Sequence, residues 1–159
     1  MRKCMQIILL FLLLSSCLNA LELKGKVIAV SDGDTIKLLT QDKVTHKIRL
    51  LDIDAPEKSQ PFGNKSKENL SKYIAGKTVT VKYTNMDKYS RILGTIYLNN
   101  MDVNLQQIKD GYAWVYKQYS SNQIYYQEEK KAKDLKKGLW IAKEPLAPWE
   151  YRKKRKSSN

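Results

Sequence analysis

The sequence is poor in the side chains that most often bind transition metals or act as general bases. Its 159 residues include two cysteines, Cys4 and Cys17, and a single histidine, His46. Both cysteines lie near the N-terminus, in a stretch expected to be processed, so the mature body has no disulfide and no thiolate metal site. One histidine leaves little room for a zinc cluster or for histidine-based catalysis. Any chemistry must therefore depend on carboxylates, basic groups, hydroxyls and aromatic rings.

Negative charge is also scarce. There are 16 acidic residues against 29 lysines and arginines, which gives a formal net charge of +13. Such an excess is informative about partners rather than about fold, and it favours nucleic acid, anionic lipid or acidic polysaccharide. A simple soluble basic protein is the alternative that charge alone leaves open.

The first twenty residues have the layout of an export signal. Arg2 and Lys3 precede the apolar run "MQIILLFLLL", which is followed by small and polar residues. The run is short for a membrane span of roughly 20 residues, although an uncleaved anchor remains an alternative. The stretch "LSSC" resembles the lipobox of bacterial lipoproteins, with Cys17 as the lipid-modified first residue, and cleavage after Ala20 is the competing prediction. Both predict an exported protein, held at the cell envelope or released to the periplasm or medium.

The remaining chain length suits one domain. We expect a signal segment at residues 1–20, a single domain at residues 21–150 and a basic C-terminal tail at residues 151–159. The tail "YRKKRKSSN" is a charge run of the kind that often lacks structure. We expect a monomer.

Hydrophobic patterning predicts five strands and about three helices. The strands are expected in "KVIAV", "TIKLL", "VTHKIRLL", "TVTVKY" and "RILGTIYL". Helices are expected in "SKENLSKYIAGK", from Val103 to Ile108, and from Asn122 to Lys137. An α+β, mainly β fold follows, with a five-stranded OB-type barrel packed on the helices. A generic α+β domain fits the same pattern.

Acidic residues gather at two strand ends. "SDGDT" places Asp34 at the start of a strand, and "RLLDIDAPE" places Asp52 and Asp54 at the end of another. Strict alternation puts Arg49 on the opposite face from Asp54, so the two could share a site only if the strand bends or ends before Pro56. A polar strand end running into a loop is the simpler interpretation.

These residue types also suit a hard divalent cation. Carboxylates of Asp34 and Asp54, with water and a backbone carbonyl, would bind Ca²⁺ or Mg²⁺. Glu57 could then act as a base on a water molecule. Arg49 and Arg91 could bind a phosphate and stabilise the charge that develops during phosphoryl transfer.

Several motifs in register resemble the staphylococcal nuclease (thermonuclease) family. They are "SDGDT", "IRLLDIDAPE", "FG", "DKYSR", "DGYAWVY" and "GLW". The resemblance runs from about Gly25 to about Trp149, which is nearly all of the mature chain. It implies an OB-type barrel and a Ca²⁺-dependent phosphodiesterase that cuts DNA and RNA with little sequence preference.

The resemblance also implies roles for individual residues. Metal ligation falls on the carboxylates of Asp34 and Asp54 and the carbonyl of Ala55. The general base falls on Glu57. The remaining matches are two phosphate-binding arginines and two residues near the terminal phosphate of a bound nucleotide, namely Arg49, Arg91, Lys88 and Tyr89.

The chain departs from the family pattern at several points. Ala55 replaces a threonine, Ser90 replaces a glycine, and the loop after Glu57 is short. The tyrosine that stacks on a base is open among Tyr112, Tyr116 and Tyr119. A non-catalytic nucleic-acid-binding module at the envelope is the alternative function, because barrels of this type can bind single strands without cutting them.

Overall fold

A computed structural model describes residues 20–157. The expected signal segment therefore lies, except for Ala20, outside the described residues, as do the last two residues of the tail. Eight strands occur within the described range: β1 (Leu21–Val30), β2 (Thr35–Thr40), β3 (Thr45–Leu50), β4 (Ile53–Asp54), β5 (Thr78–Met86), β6 (Ile92–Leu98), β7 (Met101–Asp102) and β8 (Trp114–Val115). The helices are α1 (Gly63–Ile74), α2 (Val103–Lys109), α3 (Gln123–Asp134), a short 3₁₀ turn (Gly138–Ile141) and α4 (Pro148–Ser157).

The five long strands close into a barrel. Neighbouring strands run in the order β3-β2-β1-β5-β6, and a parallel pairing of β3 with β6 joins the two ends. The other pairings along this order are antiparallel. Closure removes the exposed sheet edges that an open sheet of this size would carry. The predicted OB-type fold class is confirmed.

Alternation along the strands fills the barrel interior. In β2, Ile36 and Leu38 are fully buried whereas Lys37 between them is exposed. In β3, Ile48 and Leu50 are buried in the same manner. Branched aliphatic side chains at every second position favour a half-buried strand, which is why these segments could be predicted from the sequence.

Helices α1, α2 and α3 cover the predicted segments and extend the core. Leu70 and Ile74 of α1 and Ile108 of α2 are fully buried in the main apolar cluster. Helix α2 is capped by Asp102, whose carboxylate accepts a hydrogen bond from the backbone N–H of Leu105. This bond satisfies a donor that would otherwise be unpaired at the helix start.

The C-terminal segment is a fourth helix rather than an unstructured tail. Helix α4 begins at Pro148, whose missing N–H and fixed φ suit a first helical position. Trp149 anchors it, with its ring stacked on Tyr116 at 5.7 Å and edge-on to Trp114 at 5.7 Å. The expectation that this basic run lacks structure was wrong because aromatic residues just ahead of the charges attach the helix to the body.

Across residues 20–157, none of the helices has the length and apolar character that crossing a bilayer requires.

Candidate active site

A sharp turn after β3 brings together residues that a straight strand would separate. Strand β3 ends at Leu50, Asp52 adopts a left-handed backbone with φ +66°, and the chain resumes as β4. The turn is braced where the Leu51 N–H donates to the carbonyl of Gly94 at 2.9 Å. As a result, Arg49 and Asp54 form an ion pair of 2.9 Å. The chain therefore bends before Pro56, which is the condition under which the sequence allowed Arg49 and Asp54 to share a site.

Asp34 reaches the same place from the start of β2. Its backbone carbonyl accepts from the Leu50 N–H at 2.8 Å, which places it beside the end of β3. Its side-chain Oδ2 lies 3.1 Å from Arg49 Nη2 and accepts from the Ala55 N–H at 2.6 Å. Asp32 caps the turn by accepting from the Asp34 N–H. The local sequence "SDGDT" therefore delivers one carboxylate into the site and uses the other to form the turn.

Arg49 is the centre of the buried part of the site. Its Nη2 serves both Asp34 and Asp54, while its Nη1 donates to the carbonyls of Leu50 at 2.7 Å and Ile53 at 2.8 Å. Its side chain is only 11% exposed. A guanidinium with its donors distributed in this way has a fixed orientation.

Burial makes both aspartates costly to ionise. The Asp54 side chain is 1% exposed and that of Asp34 is 9% exposed. Burial raises the pKa of Asp34 to about 7, against the lowering effect of Arg49, and the neighbouring Asp32 and Asp54 raise it further. Burial also raises the pKa of Asp54, while hydrogen bonds from Arg152 and the charge of Arg49 lower it. Two buried carboxylates held close together are a site that attracts positive charge.

Glu57 lies on the loop that follows, with its side chain one third exposed. The loop is held at Gln60, whose Oε1 accepts from the Glu57 N–H at 3.1 Å and whose Nε2 donates to the carbonyl of Leu146 at 2.6 Å. Nearby, Ser59 Oγ and Tyr151 Oη are 2.9 Å apart. The short loop after Glu57 is thus attached at two points to the C-terminal segment.

Arg152 of α4 completes the cluster. Its Nη2 lies 2.7 Å from Asp54 Oδ2, and its Nη1 donates to Asp54 Oδ1 at 3.2 Å and Glu57 Oε1 at 2.8 Å. The sequence analysis missed this residue because it stood in a run assigned to a tail. The only local signal was the tryptophan three residues earlier, which would place both side chains on one helix face.

Arg91 lies on the same side of the barrel but pairs elsewhere. The register pairs Arg49 with Leu93, so alternation along the neighbouring strand puts Arg91 on the outer face with Arg49. Its guanidinium binds Asp87 at 2.7 Å. Among residues 20–157, no hydrogen bond or ion pair joins Arg91 to Asp34, Asp54 or Glu57.

Lys88 and Tyr89 belong to the same turn as Arg91. The Tyr89 ring is two thirds exposed and lies within 5.5 Å of both the Lys88 ammonium and the Arg91 guanidinium. Positive φ at Ser90, where the family pattern has a glycine, shows that serine adopts the turn conformation here.

The candidate stacking tyrosines differ in their surroundings. One face of Tyr116 is covered by Trp149, and its edge contacts Tyr119 at 4.8 Å. Tyr119 itself is two thirds exposed. The carbonyl of Tyr112 accepts from Ser66 Oγ. Contact with Trp149 makes Tyr116 less available for a nucleotide base than the exposed Tyr119.

A buried polar framework supports the site, and sequence patterning gave no signal for it. Gln107 is fully buried and donates to the carbonyls of Gly33 at 2.8 Å and Ser66 at 3.2 Å. Asn104, also fully buried, donates to the carbonyls of Leu51 and Gly94. Each amide holds one of the two turns that carry the aspartates. Because amide side chains at helical positions usually face solvent, their role depends on tertiary packing.

The arrangement described so far can be compared with known proteins. The family described as staphylococcal nuclease homologue matches residues 47–142, well over half of the chain. The chain belongs to the staphylococcal nuclease family. The predicted family is confirmed, and so is the prediction of a hydrolase of the nuclease type.

Individual members of the staphylococcal nuclease family give the same answer. A protein named as an uncharacterized endonuclease from Haemophilus influenzae is 40% identical over 150 residues, covering 94% of this chain and 84% of its own length. An Escherichia coli protein of the same name is 42% identical over 132 residues, covering 82% of this chain and 86% of its own length. A "Probable staphylococcal-like nuclease" from Oryza sativa subsp. japonica is 34% identical over 142 residues, covering 89% of this chain but 36% of its own length.

The donor set suits a hard cation only in part. Asp34 and Asp54 supply carboxylate oxygens close together, and oxygen ligands are those that Ca²⁺ and Mg²⁺ prefer. Over residues 20–157, however, no three aspartate, glutamate, histidine or cysteine side chains form a group ready to hold a metal. The remaining space at these carboxylates is taken by the guanidinium groups of Arg49 and Arg152.

Proposed function

We propose that this chain is an exported, calcium-dependent nuclease that hydrolyses the phosphodiester bonds of DNA and RNA with little sequence preference. One observation supports the proposal above the others. Asp34 and Asp54, from separate strand ends, share a single guanidinium nitrogen of Arg49. The Asp54 loop also carries Glu57, which Arg152 joins to the same cluster. A non-catalytic binding module has no need for three carboxylates in this position.

The roles are those that the family resemblance implies for the matching residues. Asp34 and Asp54, with the backbone carbonyl of Ala55, would hold Ca²⁺, which supplies Lewis-acid stabilisation of a phosphoryl oxygen when it is bound. Glu57 accepts a proton from the water that attacks phosphorus. The bond from phosphorus to the 5′-oxygen breaks, and the leaving oxygen takes a proton from solvent. This outcome, a 3′-phosphate and a free 5′-hydroxyl, is the one that the family resemblance implies.

The arginines are assigned to stabilising the negative charge that develops on the phosphate. Arg49 is already oriented by its backbone contacts, which suits a group that stabilises a transition state without reorganising. Arg91 would have to exchange Asp87 for a phosphate oxygen. Lys88 and Tyr89 lie together on an exposed turn, and the family resemblance implies that they contact the terminal phosphate.

The decisive experiment is incubation of the mature protein with single-stranded DNA, double-stranded DNA and RNA. Cleavage is expected with Ca²⁺ and should stop when a chelator is added. Glu57→Gln should lose cleavage while retaining binding, and Glu68→Gln, an exposed glutamate on helix α1, is the matched control. Cleavage that persists in chelator would refute the metal assignment. Tight, salt-sensitive binding without cleavage would instead support the nucleic-acid-binding alternative.

Export is a separate part of the proposal and depends on residues 1–20. Mass spectrometry of the mature N-terminus is the direct test. A lipid-modified Cys17 would identify a lipoprotein, and a chain that begins at Leu21 would identify a released protein. An intact Met1 terminus in the cytoplasmic fraction would contradict export.

A further inference from the structure

Two guanidinium groups occupy the carboxylate cluster, and they are held in different ways. Arg49 is 11% exposed and donates to two backbone carbonyls of its own turn as well as to Asp34 and Asp54. Arg152 is 33% exposed, and within residues 20–157 its guanidinium pairs only with the carboxylates of Asp54 and Glu57. Arg49 therefore belongs to the framework of the turn, whereas Arg152 is held by the charges of the site alone.

Arg152 leaves no free oxygen on Asp54. The Oδ2 atom accepts from Arg152 Nη2 at 2.7 Å, and the Oδ1 atom accepts from Arg152 Nη1 at 3.2 Å as well as from Arg49 at 2.9 Å. A divalent ion needs at least one of these oxygens. The guanidinium and the ion therefore compete for the oxygens of Asp54.

The Arg152 side chain can leave without unfolding its helix. Helix α4 is attached through Trp149, which stacks on Tyr116 and meets Trp114, and through the Tyr151 hydroxyl beside Ser59. These contacts do not involve the guanidinium. A change of rotamer would carry the charge towards solvent while the helix stays docked.

We propose that Arg152 is a resident cation of the site, which fills the place of a divalent ion at Asp54 and Glu57 and must be displaced when the ion binds. Arg152 thereby sets how tightly this protein binds metal. The inference rests on the metal site of the proposed function. It goes beyond that function because it assigns to α4 a role that the nuclease reaction itself does not require.

Charge counting supports displacement. Asp34, Asp54 and Glu57 carry three negative charges when ionised, and Arg49 and Arg152 together carry two positive charges. A divalent ion added beside both arginines would give the cluster an excess of positive charge at close range, which costs energy where water is largely excluded. Release of Arg152 removes one of these charges and frees Oδ2 of Asp54, while Oδ1 keeps its bond from Arg49.

The test is calorimetric titration of Ca²⁺ into the metal-free protein in the absence of nucleic acid. Arg152→Gln should bind Ca²⁺ about tenfold more tightly than the wild type, or better, because the ion no longer competes with a charge-assisted pair. Arg152→Lys keeps the charge without the two-point contact and should fall between them. Lys153→Gln is the matched control, since it removes the same charge from an exposed neighbour on the same helix.

The outcomes separate the inference from the function. If Arg152→Gln binds Ca²⁺ no more tightly than Lys153→Gln does, or more weakly, the inference is refuted even though the wild type cuts nucleic acid. If none of the proteins binds Ca²⁺, the inference and the metal assignment of the proposed function fail together. Arg152→Lys keeps the test informative if the glutamine variant does not fold. In the wild type, the Arg152 side-chain NMR signal should also shift on Ca²⁺ addition while that of Arg49 shifts less.

Discussion

The two halves of the carboxylate cluster are constructed on opposite principles. The barrel half, which comprises Asp34, Arg49 and Asp54, is buried and held by backbone hydrogen bonds from strand ends and turns. The C-terminal half is Arg152, which reaches the cluster from a terminal helix and is one third exposed. One half is part of the framework of the fold, and the other is added to it.

The two halves should therefore differ in how much folding stability is lost when one of their residues is changed. A buried charge that loses its partner is strongly destabilising, whereas a partly exposed ion pair contributes little net stability. Because Asp54 keeps its ion pair with Arg49 when Arg152 is changed, substitutions in the C-terminal half should cost the barrel less than substitutions at Arg49. Such a division would let changes in the C-terminal half adjust metal affinity while the barrel half keeps its geometry.

The largest effect is expected at Arg49, because this residue both holds the turn after β3 and is assigned to stabilising the transition state. Arg49→Ala should lower turnover by at least about 10²–10³-fold, and it should also cost about 3–5 kcal/mol of stability because two buried aspartates lose their shared partner. Arg91→Ala should lower turnover by a similar factor, but its partly exposed pair with Asp87 is worth only about 0–1 kcal/mol. Steady-state kinetics and urea unfolding of both variants check this, and equal stabilities would contradict it.

A smaller effect is expected from crowding the barrel half. A Cβ added at Gly33 would lie 1.9 Å from Ser66 Oγ and 2.7 Å from the Ala55 Cβ. Gly33→Ala should therefore cost at least about 1–3 kcal/mol and should displace Ala55, the proposed carbonyl ligand. Gly76→Ala, where the added Cβ meets nothing within 4 Å although φ is +72°, tests backbone strain without crowding. Urea unfolding with Ca²⁺ titration compares the two, and unchanged metal affinity in Gly33→Ala would oppose the assignment of Ala55.

Removal of the anchor of the C-terminal half should act locally. Trp149→Ala deletes the contacts with Tyr116 and Trp114 and should cost about 1–2 kcal/mol. Hydrogen exchange is expected to accelerate in α4 and to remain slow in β2 and β3. Trp149→Phe, which keeps an aromatic ring, is the control. Loss of protection throughout the barrel would show that the two halves are not separable.

The smallest effect concerns a contact outside the carboxylate cluster. Burial and the neighbouring Asp102 raise the pKa of Tyr125, whose hydroxyl donates to Asp102 at 2.8 Å. Because the folded state keeps this proton above the ordinary tyrosine pKa of about 10, stability should fall as pH rises beyond that value. Tyr125→Phe should cost about 1 kcal/mol at neutral pH and should make the alkaline decline shallower.

Urea unfolding at pH 9, 10 and 11 measures this decline. An identical decline in wild type and variant would show that other groups carry it. Tyr73 and Tyr97, whose pKa values are also raised by burial, leave a residual slope in the variant. The metal-binding curves of Tyr125→Phe should match the wild type, which makes it a control for both halves of the site.

Much of the fold was predictable because its signals are local. Alternating branched residues gave the five barrel strands, and helical spacing with a closing glycine gave three helices. The break in the strand at "RLLDIDAPE" could also be predicted, because proline and the acidic residues disfavour a continuous strand there. The position of Arg49 against Asp54 was only conditional, because strand alternation by itself places them on opposite faces.

By itself, the sequence determined the barrel strands, the supply of carboxylates and arginines, and the family motifs that order them along the chain. The tertiary structure alone decided that Arg152 meets Glu57 and Asp54 at sequence separations of 95 and 98, and that buried amides hold the two acidic turns. Patterns of neighbouring residues encode local conformation through steric and solvation preferences. A contact between distant residues depends on how the whole chain closes, and no short window of sequence contains that information.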